Sequence, residues 1–215
     1  MADTATTPRE RYRAQVRSEI KSHAWEQIAS AGASALSLNA IAKQMGLSGP
    51  ALYRYFANRD ELITELIRDA YRSLADTVQE AAGSGADLAA LAHTLRAWAL
   101  ADPQRYLLIY GTPVPGYHAP DDITAISGEI MAVLLDAATA LAPSAKDGSP
   151  LAAHLADHRE WAGDHPAPPA ALSRALTVWT RLHGVLSLEL SGHFSGMGFD
   201  PAMLFEAETQ SLRTP

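Results

Sequence analysis

The sequence predicts an all-helical protein, and three observations carry that expectation. Alanine, the strongest helix former, occurs 41 times in 215 residues. Valine, isoleucine and the aromatics, which favour strands, are sparse by comparison. Between glycine and proline breaks, apolar residues recur at spacings of three and four, the period of a half-buried helix.

Each element can be justified in turn. A first helix is expected over Arg9–Ala31, with Val16, Ile20, Ala24, Ile28 and Ala31 on one face and Gly32 at its end. Ser37 is placed to cap a short helix that ends at Gly46. Another short helix follows Ser48 and ends near Tyr55. Asn58 caps a long helix, Asn58–Ala82, with Asp60 and Glu61 in its first turn, where negative charge suits the helix dipole. Beyond the Gly83-Ser84-Gly85 loop come helices over Ala86–Ala101 and Pro103–Tyr110, the second started by Asp102-Pro103. The proline- and glycine-rich stretch Gly111–Pro120 reads as irregular, Asp121–Leu141 as helical and Pro143–Pro150 as a polar loop. Leu151–Trp161 is a short helix. In Pro168–Gly192, Leu172, Leu176, Trp179, His183, Leu186 and Leu190 alternate at spacings of four and three. That is a period of about 3.5, the seam of nearly parallel helices, facing either the protein's own core or a partner subunit. Asp200-Pro201 opens a final helix.

Composition and charge exclude several classes. There is no cysteine, so disulfides and thiolate metal sites are ruled out, and a cytoplasmic location is the natural expectation. The polar start, Met1–Gln15, is unlike a signal peptide, and no apolar run is long enough to span a membrane. The net charge of −7 is uneven. Residues 1–60 hold 8 Lys/Arg against 5 Asp/Glu, whereas residues 61–215 hold 9 against 19. A basic end on an acidic body points to an anionic partner for the small end.

The most informative stretch is Ser37–Phe56. Two short helices meet at a tight turn in which Ala42 must be small, Gly46 can take a positive φ, and Leu47 and Leu52 fill the wedge. Gly49, Pro50 and Ala51 are small enough to let a helix start approach a base-pair edge. On these features alone the segment is either an ordinary αα-hairpin or a DNA-binding helix-turn-helix, and the basic surroundings favour the second.

At Ser37-Leu38, Ile41-Ala42, Gly46-Leu47-Ser48, Leu52-Tyr53-Arg54-Tyr55-Phe56 and Asn58-Arg59 to Leu62, the chain resembles the tetracycline-repressor (TetR) family of bacterial regulators. The resemblance covers about residues 9–62. It implies a three-helix DNA-binding domain over residues 1–58 and a larger helical ligand-binding and dimerisation domain over 59–215. It further implies that Ser48 to Tyr55 form the recognition helix. Tyr53, Tyr55 and Arg59 would touch phosphates, Arg54, Gly49, Pro50 and Ala51 would face base edges, and Gln44 and the capping Ser37 would assist from the preceding helix. Arg59 also opens the long helix, where backbone amides favour an anion.

Trp179-Thr-Arg-Leu-His183-Gly184 and the earlier Pro103–Pro113 segment are similar to the Trp-His-Gly class of TetR C-terminal domains, which implies ligand sensing. Trp98, Tyr106, Tyr110, Met131, Leu135, Trp179 and His183 are the candidates to line a small-molecule pocket, the alternative being a filled aromatic core.

Rival chemistries fare worse. His154 and His158 have a metal-compatible spacing, with Asp157, Glu160 and His165 nearby, but no H-E-x-x-H motif is present and the stretch reads as a solvated face, so no metal or other cofactor is expected. No nucleophile elbow, phosphate loop or dinucleotide fingerprint occurs, so no enzyme is expected. The expected function is a homodimeric regulator, a repressor by default, that pairs through its last two helices. It would bind palindromic double-stranded DNA and be released by a small apolar effector. The alternative is a helical ligand-binding or interaction module without sequence-specific DNA recognition.

Overall fold

The computed structural model describes residues 7–111, 117, 119–141 and 149–213. Of the expected irregular stretch Gly111–Pro120, residues 112–116 and 118 lie outside the described residues, as do 142–148 of the expected polar loop and 1–6 of the basic start. The described residues contain ten α-helices and no strand.

The helices are α1 (Pro8–Ala31), α2 (Leu38–Gln44), α3 (Gly49–Leu52), α4 (Arg59–Gly83), α5 (Leu88–Ala101), α6 (Pro103–Tyr110), α7 (Asp121–Thr139), α8 (Pro150–Asp157), α9 (Pro169–Leu190) and α10 (Pro201–Arg213). Their starts follow local chemistry. Thr7 and Glu10 form a reciprocal capping box on α1, one residue before the expected start. Asn58, Asp87, Asp102 and Ser149 each accept from the amide three residues on. Two short 3-10 turns, Ala33–Ala35 and Glu160–Ala162, were not expected. The second replaces the end of the expected Leu151–Trp161 helix, because the chain leaves α8 at Asp157.

The chain divides into two compact units within α4, between Asp69 and Ala70. In the first unit, Ile20, Ala24 and Ile28 of α1, Ile41 of α2, Leu52 of α3, and Leu62, Ile63 and Leu66 of α4 are buried. The opening turns of α4 are tied to α1 by Lys21–Asp69 (2.6 Å) and Arg17–Glu65 (3.3 Å), so they belong with the helix-turn-helix.

The second unit has two apolar clusters. One joins Leu74 and Val78 of α4, Leu91 and Leu95 of α5, Tyr106, Ile130, Val178, Leu182, Leu186 and Phe205. The other joins Leu135 and Ala138 of α7, Leu155 of α8, and Ala171, Leu172 and Ala175 of α9. Helix α9 buries Ala171, Ala175, Val178, Leu182 and Val185, a row one position from the expected seam. Of the seam residues, only Leu172 and Leu186 are fully buried within the protomer.

Candidate nucleic-acid interface and effector site

The first unit presents the turn between α2 and α3. Gly46 adopts φ +67°, a left-handed conformation that favours glycine, and the amide of Leu47 bonds back to the carbonyl of Ala42 at 2.8 Å. Ser37 caps α2 through its hydroxyl, and its own amide donates to Gln27 Oε1 at 3.0 Å. Helix α3 is shorter than expected. Regular α-helix ends at Leu52, and residues 53–55 continue as a turn.

The expected DNA-facing residues fall into two groups. Gln44, Ser48, Pro50 and Arg54 are exposed, and Tyr53 is 45% exposed, which is high for a tyrosine in a core hairpin. Gly49, Ala51 and Tyr55 are half-buried beside them. Phe56 is fully buried and serves packing.

Arg59 behaves differently. Its Nη2 donates to the carbonyl of Ala33 at 2.7 Å, its Nε donates to the carbonyl of Leu36 at 3.2 Å, and Asp60 lies 3.6 Å away. The Ala33 carbonyl already accepts the Leu36 amide at 3.3 Å within the 3-10 turn before α2, and the guanidinium adds a second bond to it and one to the Leu36 carbonyl. Arg59 is therefore a strut across the helix-turn-helix.

Sequence reasoning missed two further arginines. Arg17 donates to the carbonyl of Tyr55 and lies 4.2 Å from the centroid of the Phe56 ring. Arg13 donates to the carbonyl of Arg54 at 3.3 Å and lies over the Tyr55 ring. Both cap the C-terminal end of the α3 turn, where carbonyls favour a cation. The signal was present: Arg9, Arg13 and Arg17 recur every four residues, as one stripe on α1.

In the second unit, α6 and α9 bring four of the expected effector residues together. Ring centroids of Tyr110 and His183 are 4.3 Å apart, those of Trp179 and His183 4.0 Å, and those of Tyr106 and Tyr110 5.3 Å. Tyr71 of α4 packs edge-on against Tyr110. The Tyr106 hydroxyl bonds with His183 Nδ1 at 2.9 Å and Ser187 Oγ at 3.0 Å. Burial pushes the Tyr110 phenol well above its ordinary pKa and the His183 imidazole down to about 4. Both are therefore neutral near pH 7. Tyr110 Oη and His183 Nε2 are buried without a hydrogen-bond partner among the described residues. Each such buried group costs about 1–3 kcal/mol.

Beside this cluster lies an apolar cavity lined by Val78, Leu88, Leu91, Ala92, Leu95, Ile130, Val133, Leu134, Val178, Trp179 and Leu182, with about 40 Å³ of free space. That is room for a water or two. Of the expected residues, only Trp179 lines it. Trp98 packs against the same cluster and donates to Ser73 Oγ at 3.1 Å. Met131 and Leu135 belong to the other cluster, with Trp161, Leu172 and Leu176. Helix α7 is apolar on two adjoining faces, and Ile130, Val133 and Leu134 are the ones that turn to the cavity. Its neighbour Glu129 accepts both Nη atoms of Arg72 (3.0 and 2.6 Å) and the Gln79 amide (2.9 Å), which fastens α7 to α4. The guanidinium holds the Glu129 carboxyl below its ordinary pKa.

His154 and His158 stack at the end of α8, but the Nδ1 of His158 is engaged with the carbonyl of His154. No group of three or more potential metal ligands occurs among the described residues. No helix described is long and apolar enough to cross a membrane.

Comparison with known proteins bears on both units. Residues 20–66 match the family described as bacterial regulatory proteins, tetR family. Residues 88–212 match the tetracyclin repressor-like C-terminal domain. The chain is 34% identical to the HTH-type transcriptional regulators Mb1846 of Mycobacterium bovis and Rv1816 of Mycobacterium tuberculosis, over 93% of this chain and 92% of each relative. A solved structure of a regulatory protein designated SCO4313 shares 72% identity and superposes with a TM-score of 0.88, covering 97% of this chain and 100% of that one. A Rhodococcus sp. RHA1 protein of unknown function, 21% identical with a TM-score of 0.66 over 92% and 93% of the two chains, shares the fold.

Proposed function

This chain belongs to the tetR family of bacterial regulatory proteins, and on that premise we propose that it is a ligand-released repressor acting as a homodimer on a palindromic operator. It is a helix-turn-helix transcriptional regulator, of a family that is not enzymatic. The observation that carries the DNA-binding part is the exposed Tyr53–Arg54 pair on a turn whose carbonyls are held by Arg13 and Arg17. Tyr53 and Tyr55 contact phosphates. Arg54 and the small Gly49, Pro50 and Ala51 approach bases, with Gln44 and Ser48 beside them.

Dimerisation uses α9 and α10, but on a different row from the 3.5-residue seam. Thr180, Arg181, Gly184 and Leu188 line an open groove with Phe194, Leu204 and Glu208. Leu188 is 44% exposed and Met203 70% exposed, and a Cβ added at Gly184 would meet nothing within 4 Å. A second copy is the occupant such an apolar face on the two closing helices calls for.

The effector site is the apolar cavity bounded by α4, α5, α7 and α9, whose Trp179–Gly184 segment resembles the Trp-His-Gly class. With so little free space, an effector must spread its walls. Val78 and the Arg72–Glu129 fork make α4 one of those walls, and α4 itself begins at Arg59, directly after the helix-turn-helix. A coupling of about 1–3 kcal/mol would release DNA roughly 5–150-fold.

Fluorescence anisotropy with duplexes tiled across the DNA upstream of the coding gene tests the reading. A specific, salt-dependent complex on an inverted repeat is expected. Equal affinity for every duplex would leave the rival, a helical module without sequence recognition.

A further inference from the structure

We propose that Tyr110 Oη and His183 Nε2 form the polar end of the effector site, and that the effector is an uncharged apolar molecule with one hydroxyl or carbonyl head. This rests on the effector reading above and narrows it to a chemical class. Three observations lead there. The cavity is lined by apolar side chains alone, with no charged group among them. Trp179 of that lining touches both rings of the polar pair, edge-on to Tyr110 at 5.5 Å and tilted to His183 at 4.0 Å. The pair thus packs directly behind Trp179, one residue removed from the cavity lining, so an effector that displaces the Trp179 ring reaches it. Its hydrogen-bonding atoms are buried and unmatched among the described residues, whereas the neighbouring Tyr106 hydroxyl is saturated by His183 Nδ1 and Ser187.

The chemistry of the pair selects the head group. A neutral phenol donates and accepts, and a neutral imidazole nitrogen does one or the other by tautomer. A hydroxyl meets either arrangement, and a carbonyl, which only accepts, bonds with the phenol in both and with Nε2 when that nitrogen carries the proton. A carboxylate would shed its hydration where the lining offers no cation, since Arg72 and Arg96 are spent on Glu129 and Glu189. A purely apolar molecule would fill the cavity and leave both polar atoms unsatisfied.

The test uses the full-length protein and three octyl probes: n-octanol, sodium octanoate and 1-chlorooctane. Binding is followed by calorimetry and by the shift of the unfolding midpoint. The alcohol should bind about ten-fold more tightly than the chloride, one hydrogen bond's worth, and octanoate should be the weakest. In Tyr110→Phe the alcohol should fall to the level of the chloride while chloride binding is retained. The wild-type ratio of alcohol to chloride stands as a test even if that variant folds poorly. Octanoate binding tightest, or all three binding alike, overturns the head-group assignment and leaves the apolar effector site standing. Binding by none of the three overturns both.

Discussion

The guanidinium of Arg17, on the first helix, donates to the carbonyl of Tyr55, 38 residues on, and pairs with Glu65 at 3.3 Å while lying against Phe56. One side chain therefore fixes the end of the α3 turn to two helices. It sets where Tyr53 and Arg54 stand without itself being the reading group.

Replacing Arg17 by methionine should weaken operator binding by about 1–2 kcal/mol, roughly 5–30-fold. Lysine should not restore it, because one ammonium cannot reproduce the planar fork and the ring contact. The measurement is affinity across a salt series. A positioning role leaves the salt slope near that of the wild type, whereas a direct phosphate contact would lower it by about 0.9.

Arg59→Ala separates two roles for that residue. With Ala33 and Leu36 occupying its donors, the variant should lose about 1–2 kcal/mol of stability in urea titration, from two lost hydrogen bonds to backbone carbonyls. Its DNA salt slope should be unchanged. A slope reduced by about 0.9 with normal stability would make Arg59 a phosphate contact instead.

Much of this was legible in the sequence, and what was not has identifiable causes. Helix starts were readable because caps are local: Asn58, Asp102-Pro103 and Ser37 act within three residues. The inward turn of Arg59 was not readable, since it depends on where a 3-10 turn with no strong sequence signature places the Ala33 and Leu36 carbonyls. The period of α9 was readable, but not its phase. The expected seam and the buried row one position away, Ala171, Ala175, Val178, Leu182 and Val185, are both apolar, while Leu188 faces outward beside Thr180, Arg181 and Gly184. Which side of α7 Met131 and Leu135 take was not readable for the same reason, because α7 packs on two sides and they pack with α8 and α9.

That phase makes the dimer testable. Leu188→Arg should give a folded monomer by light scattering, because the residue is exposed in the single protomer. Leu186→Arg, at a fully buried site, should unfold the chain, since an unpaired charge there has no escape to water. A dimeric Leu188→Arg protein would place the interface elsewhere.

His183 gives a dependence on pH whose direction follows from its burial. Its imidazole is held down to about 4 in the fold, against an ordinary value of 6.5. Between those values the unfolded chain binds a proton that the folded one refuses. Stability contributed by keeping the ring neutral is therefore full above pH 6.5 and declines as the pH falls toward 4. The loss amounts to at most about 3 kcal/mol. The groups around the ring are Tyr106, Tyr110, Trp179 and Ser187, and none supplies a negative charge that would oppose the shift. Urea midpoints taken from pH 7 to pH 4.5 should fall less steeply in His183→Gln than in the wild type, by close to one proton's linkage. Parallel curves for the two proteins would mean that the imidazole is solvated and titrates alike in both states.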